Sequence, residues 1–150
     1  MSNIKHKAEY LKKKYKTSNP FEVCEYMGID IFYFDLPDCV NGLFFKYLKN
    51  YIIILNEHLD YESSRVTVAH ELGHIVLHDK INSFQLISNT DIPLAKLENE
   101  ADYFATCLLI DEDELKSEYC GYPLTVKDIA GISRLPEGMV QLYADKNGYL

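Results

Sequence analysis

His70-Glu71-Leu72-Gly73-His74 is the stretch that decides how this chain is read. It sits between Tyr61-Glu62-Ser63-Ser64-Arg65-Val66-Thr67-Val68-Ala69 and Ile75-Val76-Leu77-His78, a run free of proline, and Asp60 stands where a helix cap belongs. The pattern predicts one helix from Tyr61 to about His78. Each helical residue advances about 100°, so His70 and His74 lie about 40° apart and one turn apart along the axis. Both imidazoles can reach one ion. Glu71 points about 100° away from His70, too far round to be a coplanar third ligand but able to reach a water at the ion's open position.

Placement on the helix argues against a chance surface pair. Val66, Gly73 and Leu77 fall within about 60° of His70 and Ala69 about 100° from it, so the histidines share the apolar face. Two buried histidines one turn apart need polar partners, and a metal satisfies both. Gly73 costs about 1 kcal/mol relative to alanine inside a helix, which fits a close approach by another backbone. His78 lies one turn further on. Three histidines in line would string out over about 12 Å, against zinc–nitrogen bonds of about 2 Å. His78 is therefore read as a helix-end group facing the C-terminal dipole.

A second helix, from Leu94 to about Ile110, has Leu97, Ala101, Phe104, Ala105 and Leu108 as its buried stripe and offers a third ligand. Glu98 and Glu100 lie about 200° apart, so at most one of them faces the site. Glu98 lies nearer the stripe, beside the small residues Ala101 and Ala105. It is the choice for the metal, with Glu100 in reserve. Asp102, one turn after Glu98, is placed to orient a ligand histidine. Neutral imidazoles and a carboxylate suit Zn2+, which keeps a fourth position for water. The ion lowers that water's pKa toward about 7, and Glu71 is the candidate general base.

Elsewhere the order is helices, three strands, then helices. Residues 3 to 16 form an amphipathic helix with Ile4, Ala8, Leu11 and Tyr15 on one side; its lysines read as a solvated face. Asn19, Pro20, Glu22 and Gly28 delimit a second helix. Ile29 to Phe34 is a strand, and Val40 to Tyr47 with Tyr51 to Leu55 is a hairpin. Ile81 to Ile92 is polar and irregular. Thr125 caps a short helix over Val126 to Ala130, which Gly131 breaks, and Pro136 opens a last helix ending around Ala144. This is an α+β fold, a small, mainly antiparallel three-stranded sheet packed with helices. At 150 residues, residues 1–150 form one domain, with a catalytic core over 19–110 and a helical C-terminal subregion over 124–145.

His70 to His78, followed by Glu98-x-x-Ala101-Asp102-x-Phe104-Ala105-x-x-Leu108-Leu109, resembles the ImmA/IrrE family of zinc metallopeptidases. Asn19-Pro20-Phe21-Glu22, Asn41-Gly42-Leu43 and Ile52-Ile53-Ile54 resemble it as well, so the likeness covers most of residues 19 to 110. It implies a gluzincin-like site with His70, His74 and Glu98 as ligands and Glu71 as base. It also implies a bacterial or mobile-element anti-repressor that cleaves a helix-turn-helix transcriptional repressor. The chain departs from the family's usual pattern at Asp102, where asparagine is common, and at Ile110-Asp111, where proline often follows the leucine pair.

Composition limits the alternatives. A net charge of −8 argues against a phosphate-gripping surface, so no direct nucleic-acid binding is expected. Thr125 to Ala144 could mimic a helix-turn-helix, but its last helix lacks arginine to read base edges. Its apolar residues Val126, Ile129, Ile132, Leu135, Val140 and Leu142 suit packing on the core. No run reaches the about 18 apolar residues needed to span a membrane. The polar N-terminus and the absence of any Cys-x-x-Cys pattern point to reduced thiols and a cytoplasmic location. The rival to a peptidase is a metal-bound, non-proteolytic anti-repressor acting by protein–protein interaction, and an intact Glu71 favours the enzyme. Substrate is expected to add as an extended strand at a sheet edge near Tyr51 to Leu55, with Tyr103 and His78 as candidate oxyanion donors.

Overall fold

Two short chain reversals set the entry to the sheet. Asn19 accepts a hydrogen bond from the Phe21 N–H and caps α2 (Pro20–Met27), and Gly28, at φ +70°, ends it. That left-handed conformation costs glycine little and most other residues more. The chain then runs into β1 (Asp30–Phe34), β2 (Gly42–Tyr47) and β3 (Asn50–Asn56). The structure is a computed structural model describing residues 2–81, 93–118 and 121–148. The stretch expected to be irregular falls, beyond Ile81, outside the described residues, as does Cys120.

The sheet has the order β1-β3-β2. β2 and β3 form the expected antiparallel hairpin, in which Phe44 faces Ile53 and Gly42 faces Leu55. β1 pairs with β3 in parallel, Asp30 opposite Ile52 and Phe34 opposite Asn56, so the sheet is mixed. β3 is therefore the central strand. The expected docking of substrate along Tyr51 to Leu55 is overturned, because both edges of that strand are already paired. The free edge of the hairpin belongs to β2.

Seven helices occur among the described residues: α1 (Ser2–Tyr15), α2, α3 (Tyr61–Leu77), α4 (Leu94–Leu109), α5 (Glu112–Ser117), α6 (Val126–Ser133) and α7 (Glu137–Asn147). Asp60 caps α3 as expected, accepting from the Ser63 N–H at 2.7 Å. The core gathers Phe44, Ile53 and Leu55 from the sheet, Val68 and Leu72 from α3, Phe104 and Leu108 from α4, and Val140 from α7. From Thr67 to Ile75 every residue of α3 except His70 is buried. That helix is enclosed on nearly all sides rather than along one stripe, with the sheet and α4 both packed against it.

Three local readings change. Gly131 does not break α6, which continues to Ser133 and ends where Arg134 adopts φ +54°. Nothing lies within 4 Å of a Cβ placed at Gly131, so its cost there is only the modest helix penalty of glycine. α5 was not expected from periodicity; its signal is Asp111, which accepts from the Asp113 and Glu114 N–H groups. The α1 lysines are also more than a solvated face. Lys12 donates to the carbonyls of Cys107 and Ile110 at the end of α4, and Lys5 pairs with Glu112 at 2.9 Å. The C-terminal helices do pack on the core, burying Ile129, Leu135, Val140 and Tyr143. No helix among the described residues is long and apolar enough to cross a membrane.

Candidate metal centre

The residues singled out on α3 and α4 converge because two backbones come close. A Cβ placed on Gly73 would lie 3.0 Å from the Ala101 carbonyl oxygen and 3.1 Å from Ala101 Cα. The glycine lets α4 settle directly against α3, which brings Glu98 and Asp102, one turn apart, over the histidines. His70 Nε2 lies 3.1 Å from Glu98 Oε2, and His74 Nε2 lies 3.3 Å from Glu98 Oε1. The two Nε2 atoms are 3.1 Å apart. Zinc bonds of about 2.0–2.1 Å in a tetrahedron separate their donors by about 3.3 Å. The three donor groups are spaced to hold such an ion.

The ring orientations agree. His70 Nδ1 lies 2.7 Å from Asp102 Oδ1, so a neutral His70 with its proton on Nδ1 would offer its Nε2 lone pair to an ion at the shared point. His74 is 2% exposed and its ring stacks on Phe44 of β2, with centroids 5.6 Å apart. The pocket favours positive charge. Burial opposes the charged form of His70, but hydrogen bonds to Asp102 and Glu98, helped by the charge on Glu71, outweigh it and lift the pKa to about 10. The His70 and His74 rings beside it hold the Glu98 carboxyl far below the usual carboxylate range. Burial lowers the pKa of His74, with Glu98 opposing.

Glu71 is 7% exposed. Burial pushes its carboxyl up to about 7, His70 opposing and the charge on Glu98 adding to the rise. It lines the same cavity as the two histidines and Glu98, a cleft of about 480 Å³. The opposite wall runs from Cys39 to Leu43, leading into the free edge of β2. Asn56 shapes that wall, although the sequence reading passed over it. It is 4% exposed, and its Nδ2 donates to the carbonyls of Leu36 and Val40 at 3.1 and 3.0 Å. An asparagine closing the apolar run Ile52-Ile53-Ile54-Leu55 was the available signal. Glu100 does not join the donor group; it accepts from His78 Nε2 at 2.8 Å. His78 is not a ligand either, since its Nδ1 lies 3.2 Å from His74 Nδ1, on the far side of that ring from the donors. Tyr103 is 2% exposed and lies against Tyr143, and it is absent from the cleft lining.

Comparison with known proteins gives the family. The family model of M78 peptidases, described as the IrrE N-terminal-like domain, matches residues 24–131. The chain belongs to the M78 peptidase family. Members of that family are metallopeptidases, and His70, His74 and Glu98 are a group able to hold the metal. The M78 chain is 36% identical over 140 residues to uncharacterized immunity region protein 2 of Bacillus phage phi105, covering 93% of this chain and 87% of that one. It is 35% identical over 114 residues to metallopeptidase ImmA of Bacillus subtilis strain 168, covering 75% of this chain and 66% of that one. No solved structure gives a significant match.

Proposed function

We propose that this M78 metallopeptidase is a zinc-dependent endopeptidase that cleaves a helix-turn-helix transcriptional repressor, with His70, His74 and Glu98 as ligands and Glu71 as general base. The observation that carries the reading is the convergence of two imidazole nitrogens and one carboxylate at 3.1–3.3 Å beside a buried glutamate. Zinc, when bound, supplies the charge that acidifies a water and polarises the scissile carbonyl. Glu71 takes the proton of the attacking water and passes it to the leaving amine. Burial, which raises the Glu71 carboxyl, favours its taking up that proton. Asp102 holds the His70 ring with Nε2 turned toward the metal position.

Substrate enters as an extended segment alongside β2, whose start at Asn41 to Leu43 borders the cleft and whose outer edge is unpaired among the described residues. Burial of Glu71 and His74 against an open cleft fits a site that an unfolded or extended peptide can reach. The choice of a repressor follows the ImmA/IrrE resemblance, and a relative named as an immunity region protein supports a regulatory role. The test is to incubate the zinc-loaded protein with a candidate helix-turn-helix repressor and to follow fragments by mass spectrometry. Glu71→Gln should keep its zinc and lose about 10²–10⁴ in rate, the usual contribution of a general base. Glu98→Ala should lose the zinc. Equal cleavage by Glu71→Gln, or repressor relief with no fragments, would end the peptidase reading.

A further inference from the structure

His78 and Glu100 are joined to each other and to the back of His74. His74 Nδ1 and His78 Nδ1 are 3.2 Å apart, and His78 Nε2 lies 2.8 Å from Glu100 Oε2. The His78 side chain is only 7% exposed. His78 is the cap residue of α3, with φ −128° and ψ +47°, and its backbone N–H donates to the His74 carbonyl. It leaves the helical path there, and its ring can reach the neighbouring ring one turn back.

A neutral imidazole has one N–H and one lone pair, so the order of protons along this chain is constrained. Glu100 as a carboxylate only accepts, and this places the His78 proton on Nε2. His78 Nδ1 is then a bare acceptor, and His74 must donate to it from its own Nδ1. The His74 Nε2 atom is left with its lone pair, facing His70 and Glu98. With the opposite order, His78 would donate from Nδ1, His74 would carry its proton on Nε2, and it could not bind a metal. The carboxylate at the far end therefore pulls the row toward the ligating order, against Glu98, whose Oε1 lies 3.3 Å from His74 Nε2.

We propose that His78 and Glu100 are positioning residues: a histidine–carboxylate relay that holds His74 in the one tautomer able to ligate the metal. The proposal rests on the reading of His74 as a ligand. It adds to the Asp102–His70 contact a second, longer support of the same kind, so that each ligand histidine has its own carboxylate on α4.

The experiment uses the full chain. Zinc affinity is measured by competition against a chromophoric chelator for wild type, His78→Ala, His78→Gln, Glu100→Ala and the double alanine variant. His78→Ala should weaken zinc binding about 10–100-fold, the usual loss for an outer-shell partner. His78→Gln should recover most of that loss, because its amide oxygen can accept from His74 Nδ1. The double variant should bind no more weakly than His78→Ala, since Glu100 acts only through His78. Nitrogen-15 shifts of the metal-free protein read the tautomer directly: the Nδ1-protonated share of His74 should fall, and the Nε2-protonated share rise, in Glu100→Ala relative to wild type. Additive losses, unchanged zinc affinity in His78→Ala, or an unaltered His74 tautomer in Glu100→Ala would overturn the relay. A wild type that takes up no zinc would instead overturn the metal-site reading, while the tautomer measurement still decides the relay.

Discussion

Replacing Gly73 by alanine sets two well-defined effects against each other. In an open helix the change stabilises by about 1 kcal/mol, because alanine loses less backbone freedom on folding. At Gly73 the new methyl would sit 3.0 Å from the Ala101 oxygen, 3.1 Å from Ala101 Cα and 3.2 Å from Phe104 Cδ1. Two of those three are backbone atoms that cannot rotate aside, so α4 must retreat by roughly 0.3–0.4 Å, and overpacking of this kind costs about 1–3 kcal/mol. The balance is a variant about 0–2 kcal/mol less stable than wild type, where helix propensity alone predicts the opposite. The retreat also moves Glu98, three residues before Ala101, by more than the roughly 0.2 Å that a metal–ligand distance tolerates. Zinc affinity should fall about tenfold, on the scale of a lost outer-shell partner. Urea unfolding and chelator competition measure the two quantities. Gly131→Ala is the control: nothing lies within 4 Å of that Cβ, so it should gain the propensity term in full. A Gly73→Ala protein as stabilised as Gly131→Ala, with wild-type zinc affinity, would refute the close packing of α3 on α4.

Two further outcomes are expected away from the metal. Lys5 and Tyr143 hydrogen-bond Glu112 at 2.9 and 3.0 Å, and the Lys5 contact holds its carboxyl below the usual range. A carboxyl with a depressed folded pKa stabilises above its unfolded value and loses that contribution as pH falls through the folded one. Glu112→Gln should therefore cost about 0.2–1 kcal/mol at pH 7 in urea unfolding, a half-exposed ion pair's worth, and progressively less as the pH drops below 4.5. A difference that is flat with pH would show that the charge is not what matters. Among the cysteines, burial pushes Cys24 and Cys107 up to about 12, whereas Cys39 is exposed on the cleft wall. Brief alkylation at pH 8 should label Cys39 ahead of both, as peptide mapping would show, and a bulky maleimide there should slow cleavage. Equal labelling of Cys24 and Cys39 would count against the packing of α2.

The helices were legible wherever a cap coincided with a periodic apolar run. Asn19 with Gly28, Asp60 and Thr125 each mark a boundary that the structure keeps. Gly73 was legible as well, because a glycine inside a helix has a cost that calls for a reason. The strand order was not, since alternating residues fix which face is buried but not which neighbour lies alongside. For that reason the substrate edge was placed on β3, when β3 is central and β2 carries the free edge. Gly131 misled for the opposite reason to Gly73. It is exposed with space around it, and glycine punctuates a helix only when the chain benefits from turning there.

The choice between Glu98 and Glu100 shows where helical counting stops. About 200° of separation lets only one of them approach His70 and His74, and Glu98 is the one that does. The separation leaves open what the other one meets. The counting treated all three histidines as one straight row, but His78 lies just past Leu77 with extended φ, so its ring is not where a continued helix would put it. Once the row bends, both carboxylates find histidines: Glu98 meets His70 and His74, and Glu100 meets His78. Asp102 completes the set on His70. Three acids of α4 thus meet the two histidines of α3 and the histidine that caps it, each in a separate geometry. An acidic helix face that composition alone would assign to solvent is instead the complement of the histidine helix.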